Sequence, residues 1–405
     1  MTKEKYHKEP KEEKNMEEYI KKEKKINKKK LIILIISVLL IILAIITFAL
    51  YCKNENFRNW TDKNILQKEV IQGNTISIEF DGENNSNVYA FDKYIVTLEN
   101  KILKIYNNLG TEEAKISTEI NDPIFDAEGK YLAIGEKNGD SIYLLKGKQM
   151  LWNTNVEGKI SQIEINENGY VGVVISDISY KNVINIYNLE GKILLTTYVA
   201  NNNVEDISIS KNNQYLAIAE LDISGVLIQS SIKVIDIEKA KTEPQNSIIN
   251  TFTADVGKLI TNIEYQNQER LLCAYNDSID IIEGNNNQRI LELVNSKITF
   301  ASIELKNNMV TIEERQTGEY VSNSYVNITN VITNKVKNYT TEEIAKEIYT
   351  YGNVIAMNLG TELHMINTNG WLMKRYISTQ EINKVVISNK IAGVIYRDKI
   401  EIIDL

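Results

Sequence analysis

A short strand ending in a polar turn recurs eight times along this chain, and that repeat narrows the possible folds more than any other feature. It appears as KILKIYN ending at Asn107, SIYLLK at Lys146, VINIYN at Asn188 and IKVID at Asp236. It continues as SIDIIE at Glu283, YVNITN at Asn330, ELHMIN at Asn367 and KIEIID at Asp404. Successive spacings are 39, 42, 48, 47, 47, 37 and 37 residues. Another strand precedes each one: YIVTLE (94–99), YLAIGE (131–136), YVGVVIS (170–176), YLAIAEL (215–221), then RLLCAY, MVTIEE, NVIAMN and KIAGVIY. Before several of these stands a further strand and turn, as in PIFDAEGKYLAI, IEINENGYVGVV and ISISKNNQYLAI, which makes four strands per unit. The apolar spacing is two, so helical repeats of similar length are excluded. A period of 40 to 45 residues with four strands each predicts an all-β, eight-bladed β-propeller. Seven blades follow instead if 298–345 is an insertion.

An open fan of blades would expose long sheet edges, so closure is a test of the prediction. The last blade stops after its third strand, while TISIEF (75–80) stands ahead of the first blade with no sheet of its own. TISIEF is therefore expected to complete blade eight and lock the ring. Residues 75–405 then supply 331 residues, about 41 per blade.

Ahead of the repeat, 31–51 reads LIILIISVLLIILAIITFALY without a charge. At about 1.5 Å per residue it spans roughly 31 Å, a hydrocarbon core's thickness, and is expected to be a transmembrane helix. A cleaved signal peptide has a shorter basic leader and a shorter apolar core, and Tyr51 before Cys52 does not resemble a cleavage site. Residues 1–30 hold twelve Lys against seven Glu, a net +5, and the remaining chain sits at −13. Lysines crowd the N-terminal side of the helix, which predicts that the leader 1–30 stays cytoplasmic and the rest lies outside. A polar juxtamembrane linker (52–74), with Trp60 placed for the interface, then leads to the propeller at 75–405. The acidic bulk would repel nucleic acid.

The turns NLGTEE, KGKQMLW, NLEGKIL and NTNGWLM, with AEGKYLA and NNQYLAI, resemble those of the WD-repeat, YVTN and quinoprotein-like β-propeller superfamily. With the apolar segment included, the chain resembles membrane-anchored propellers of low-GC Gram-positive bacteria that carry a domain of unknown function. No Trp-Asp pair ends a strand, and only Trp152 resembles the docking tryptophan of quinoproteins. The resemblance therefore implies no quinone or other cofactor.

Chemistry is sparse along the chain. Two Cys and two His leave no zinc or haem site, and no Gly-x-Ser-x-Gly elbow or phosphate loop is present. His364 reads as one face of a strand, Cys273 as a small core residue, and Glu313 with Glu314 as solvated turn charges. No catalytic or metal residue is expected. One face does collect long second-to-third-strand connections at 177–181, 222–230 and 316–324, and loops on a rigid scaffold are where binding resides. Tyr180, Arg315 and Tyr320 lie there, residue types that anchor contacts, and form the expected binding face. The expectation is a non-catalytic module for a protein or envelope polymer, with the lipid bilayer as the partner of 31–51. A small-ligand sensor is the alternative, and a propeller hydrolase or dehydrogenase the third reading.

Overall fold

A computed structural model describes residues 28–66, 70–72, 76–80, 87–177, 179–293, 298–316 and 322–405. Two compact units divide the chain near Thr61. The first is dominated by the helix Lys28–Lys53, apolar all round, with a mean hydropathy of 3.5 over Leu31–Lys53. Between residues 31 and 50 its two polar side chains bond to the helix backbone. Ser37 Oγ donates to Leu34 O at 2.8 Å and Thr47 Oγ1 to Leu43 O at 3.0 Å, as a helix in lipid requires. Among the described residues it is the one helix long and apolar enough to cross a membrane. The expected linker contains a second helix, Glu55–Asn64, in which Trp60 is exposed, and a short strand, Val70–Gln72. The leader up to residue 27 lies outside the described residues.

Eight sheets follow, and each is one blade: 88–117, 123–155, 159–199, 203–253, 260–292, 298–341, 347–377, and 384–404 with 76–79. The stretch 298–341 is a four-stranded blade, so the count is eight rather than seven. In blades one to seven the first four strands run antiparallel in chain order, and blade eight takes 76–79 as its fourth. The first strands pack one on the next from blade one to blade eight and back to blade one, which closes the ring.

Burial explains the residue pattern. Second and third strands, such as Tyr131–Glu136 and Ser141–Lys146, are buried over five consecutive residues because neighbouring blades cover both sheet faces. Fourth strands, such as Glu112–Ser117, lie outermost and alternate. Recurrent Asn-x-x-Gly turns link third to fourth strands. Asn107, Asn188 and Asn367 each accept two backbone N–H groups on Oδ1, and the glycine closing each turn (Gly110, Gly191, Gly370) has φ between 71 and 74°. That left-handed conformation selects glycine.

The seam forms as TISIEF predicts. Ile76–Glu79 pairs antiparallel with Lys399–Asp404, placing Ile76 opposite Ile402 and Ile78 opposite Ile400. Ile78 and Phe80 are buried with Val88, Ile95 and Ile395. The strand Val70–Gln72 adds in parallel to the outer strand of blade seven, Leu372–Ile377, giving a fifth strand. The connection from third to fourth strand in blade four begins as a helix, Ile237–Thr242, capped by Asp236, whose side chain accepts from Lys239 N at 2.9 Å. Pro244 opens a single 3₁₀ turn behind it.

Candidate functional site

The two faces of the ring are built differently. One carries the turns between first and second strands, and side chains join these turns from blade to blade. Asn166 Nδ2 in blade three donates to Ser210 O (3.1 Å) and Asn213 Oδ1 (2.6 Å) in blade four. Gln266 in blade five donates to Ile303 O (2.8 Å) and accepts from Asn307 N (2.6 Å) in blade six. Across the seam, Ser388 Oγ donates to Asp92 O at 2.6 Å. Tyr351 of blade seven accepts from Gly129 N of blade two at 2.8 Å, a chord that skips blades eight and one and bars the mouth of the axis.

The opposite face carries the second-to-third-strand connections, where the candidate residues lie. Tyr180 is exposed and rests against exposed Tyr198, ring centroids 4.6 Å apart. Arg315 is fixed by Glu313, Nη2 to Oε2 at 2.7 Å, and covers the Tyr325 ring at 4.4 Å. These residues belong to blades three and six, so the structure places both on the expected face without joining them into one site. Tyr320 lies outside the described residues. The connection of blade four is shorter than predicted, because Asp222, Gln229 and Ser230 extend its strands. Its six remaining residues, ISGVLI (223–228), are all exposed.

Between the faces runs an axial channel. Toward the loop-rich face it holds a cavity of about 490 Å³ bordered by Phe300, Tyr349, Ile348 and Lys384. Burial pulls the Lys384 ammonium below its usual value. Toward the joined turns a second cavity of about 290 Å³ is bordered by seven carboxylates, Asp126, Glu128, Glu164, Glu167, Asp206, Glu264 and Glu304, against Lys211 and Lys306.

Strand periodicity places the acids there. Ile163 and Ile165 point into the core between blades, and Glu164 between them faces the axis. Ile263, Glu264 and Tyr265 repeat the arrangement in blade five. Asp126 and Asp206 are joints as well as wall. Asp126 Oδ2 accepts from Ile165 N at 2.6 Å and Asp206 Oδ2 from Ile263 N at 2.7 Å, each bridging to the next blade. Burial pushes both up to about 7, against the pull of those backbone bonds. Glu164 and Glu264 are raised well above the ordinary range, first by burial; Asp126 adds to both shifts, and Lys211 opposes that of Glu264. Among the described residues no three ligating side chains are grouped to hold a metal ion, so the acids are spread around the wall rather than focused on one point.

The other chemical candidates are structural. Cys273 is fully buried, and burial raises its thiol well above the ordinary value. His364 is buried, with Nδ1 2.9 Å from Tyr339 Oη and Nε2 3.2 Å from Glu362, which Arg375 also binds. The His364 bond, with Arg375 beside it, holds Glu362 down at about 2. Trp152 stacks near Tyr187 and covers Gly191, where a Cβ would come within 3.0 Å of the indole. Sequence reasoning missed the axial acids. The signal available was the recurrence of Ile-Glu in three first strands, at 163–164, 263–264 and 303–304.

The family described as "Family of unknown function (DUF5711)" has a model that matches residues 67–405. Among curated proteins no sequence matches. Among solved structures, the chain is similar to the C-terminal WD40 domain of Sif2 at 13% identity, covering 83% of this chain and 99% of that one, with a TM-score of 0.56. It is also similar to the dihydro-heme d1 dehydrogenase NirN, at 10% identity over 78% of this chain and 72% of that one, with a TM-score of 0.50. BamB from Moraxella catarrhalis matches at 12% identity, covering 81% and 98% of the two chains, with a TM-score of 0.46. At these identities the likeness shows the fold, a WD40-like and quinoprotein-like propeller, and nothing of activity.

Proposed function

The chain belongs to the DUF5711 family, and from that premise we propose that it is a membrane-anchored propeller acting as a non-catalytic interaction module. The apolar helix is the anchor, the lysine-rich leader stays cytoplasmic and the ring lies outside the membrane. The observation that carries the reading is the asymmetry of the ring. Both faces are bridged from blade to blade, but one of them presents long connections, with exposed Tyr180 and Arg315 turned toward a protein or envelope polymer. No catalytic step is assigned to Cys273 or His364, whose surroundings hold them in place.

A photo-crosslinker replacing Tyr180 in intact cells is expected to trap a discrete adduct, and the same group replacing Leu109, exposed on the opposite face, is expected to trap none. Equal, diffuse labelling from both positions sinks the proposal. A second reading, a small-ligand sensor, draws on the axial carboxylates, which would favour a cationic ligand. A rise in melting temperature with spermidine, abolished in Glu264→Gln, supports it, since a ligand that binds only the folded state stabilises by mass action.

A further inference from the structure

We propose that the blade-four loop Ile223–Ile228 is a lipid-contacting finger that seats in the surface of the membrane to which the chain is anchored. The proposal rests on the anchor reading above. Its first support is composition: the loop reads ISGVLI, and no charge occurs between Asp222 and Lys233. Val226 at the tip is 102% exposed and Leu227 65%, with Ile223 and Ile228 also exposed. Single exposed aliphatics are ordinary on a protein surface, but four within six residues form a contiguous apolar patch.

The loop is also built to hold that shape. Asp222 Oδ1 accepts from Ser224 N at 2.9 Å and from Ser224 Oγ at 2.6 Å, which spends the loop's one polar side chain internally. Ile228 O accepts from Gly257 N at 3.2 Å, bracing the finger on the link to blade five, where Val256 is exposed.

Lipid rather than protein is the occupant for two reasons. With Ser224 satisfied, the finger offers no side-chain hydrogen bond or charge to orient a protein partner, whereas a bilayer needs only apolar area. A bilayer is also within reach. Seventeen residues lead from Lys53 to Val70, so the chain cannot carry the propeller farther than about 60 Å from the end of the anchor. The absence of charge points to zwitterionic lipid and to binding that salt does not weaken.

The test uses the full chain reconstituted in phosphatidylcholine vesicles. An environment-sensitive fluorophore is attached to V226C in a C52S background, where buried Cys273 stays unlabelled. A matched probe on L109C serves as the reference on the other face. With spin-labelled acyl chains present, the position-226 probe is expected to shift to the blue and lose about half its emission, as for a group at the acyl boundary. The position-109 probe should change little.

Equal, water-like emission at both positions overturns the proposal. So does a position-226 probe that is exposed in vesicles and shielded only in native membranes, which would assign the patch to a protein. Alkaline carbonate extraction reads the anchor separately. A chain that resists extraction with an unquenched probe loses the finger alone, and a chain that is extracted yet quenched loses the anchor alone. Extraction together with an unquenched probe overturns both.

Discussion

The two faces of the ring are made by the same strands, yet one of them leaves a long apolar connection exposed. On the turn face, side chains such as Asn166 and Gln266 satisfy backbone groups of the next blade. On the loop face, Asn182, Ser230 and Ser324 also accept from Val204 N, Ile260 N and Ala345 N beyond their own blades, but Asp222 and Ser224 satisfy only their own loop and leave aliphatic carbon outside. Polar groups that bridge blades make the ring one cooperative object. Polar groups that close locally free the remaining surface for contact. Substitutions on the two faces should therefore differ in what they disturb.

The largest effect is expected at the seam on which both faces depend. Phe80→Ala removes a buried ring between blade eight and blade one and should cost about 3–5 kcal/mol in denaturant unfolding. A loss under about 1 kcal/mol would mean that the closing strand is dispensable and that the ring holds through its turns. Next comes Asn166→Ala on the turn face. Its side chain makes two bonds to blade four and also accepts from Asn168 N and Tyr170 N, so truncation leaves buried groups unpaired, at about 2–3 kcal/mol. Tyr180→Ala on the loop face should stay within about 0.5 kcal/mol while reducing crosslinking. Equal costs at Asn166 and Tyr180 would erase the distinction between the faces.

The ring was legible in the sequence because everything that makes it is local or periodic. Alternation sets each strand, Asn-x-x-Gly sets the turns, and TISIEF has no other sheet to join. Its polar axis was not legible, because Glu164 alternates between Ile163 and Ile165 as any solvated strand residue would. Only closure of the circle turns that face toward other carboxylates. The Tyr351 bond to Gly129 joins residues 222 positions apart, and no spacing rule anticipates it. The helix Ile237–Thr242 was not legible, because six residues give too little periodicity. Tyr180 and Arg315 were legible as surface residues, but what each touches, Tyr198 and Glu313, depended on register.

The axis supplies a pH test with a definite sign. Asp126 and Asp206 rise from 3.8 to about 7 on folding, so between those values the folded state holds more protons than the unfolded chain. Stability from these groups is full below about pH 4 and is lost as pH rises through 7. Glu362 acts oppositely: held at about 2, it contributes stability above its ordinary value of 4.5, which is lost as pH falls toward 2. From these groups the melting temperature should be highest near pH 4 and decline toward pH 8. Glu264→Gln removes one member of the repelling wall, so it should flatten the decline and raise melting by about 2 °C at pH 8, with little change at pH 4. A variant curve parallel to the parent would show that the acids do not sense one another.

The smallest effect tests whether the loop face contributes to stability at all. Arg315 forms an exposed ion pair with Glu313 and covers Tyr325, geometries worth a few tenths to about 1 kcal/mol each in water. Glu313 keeps its bond from Asn327 Nδ2 at 2.9 Å, so Arg315→Ala leaves no buried charge behind. Unfolding free energy should fall by less than about 1 kcal/mol, and by less still in high salt, where the ion-pair part is screened. Chemical crosslinking from this hairpin should fall with it if Arg315 contacts a partner. A loss above about 2 kcal/mol would instead make Arg315 a structural clasp of blade six rather than a contact residue.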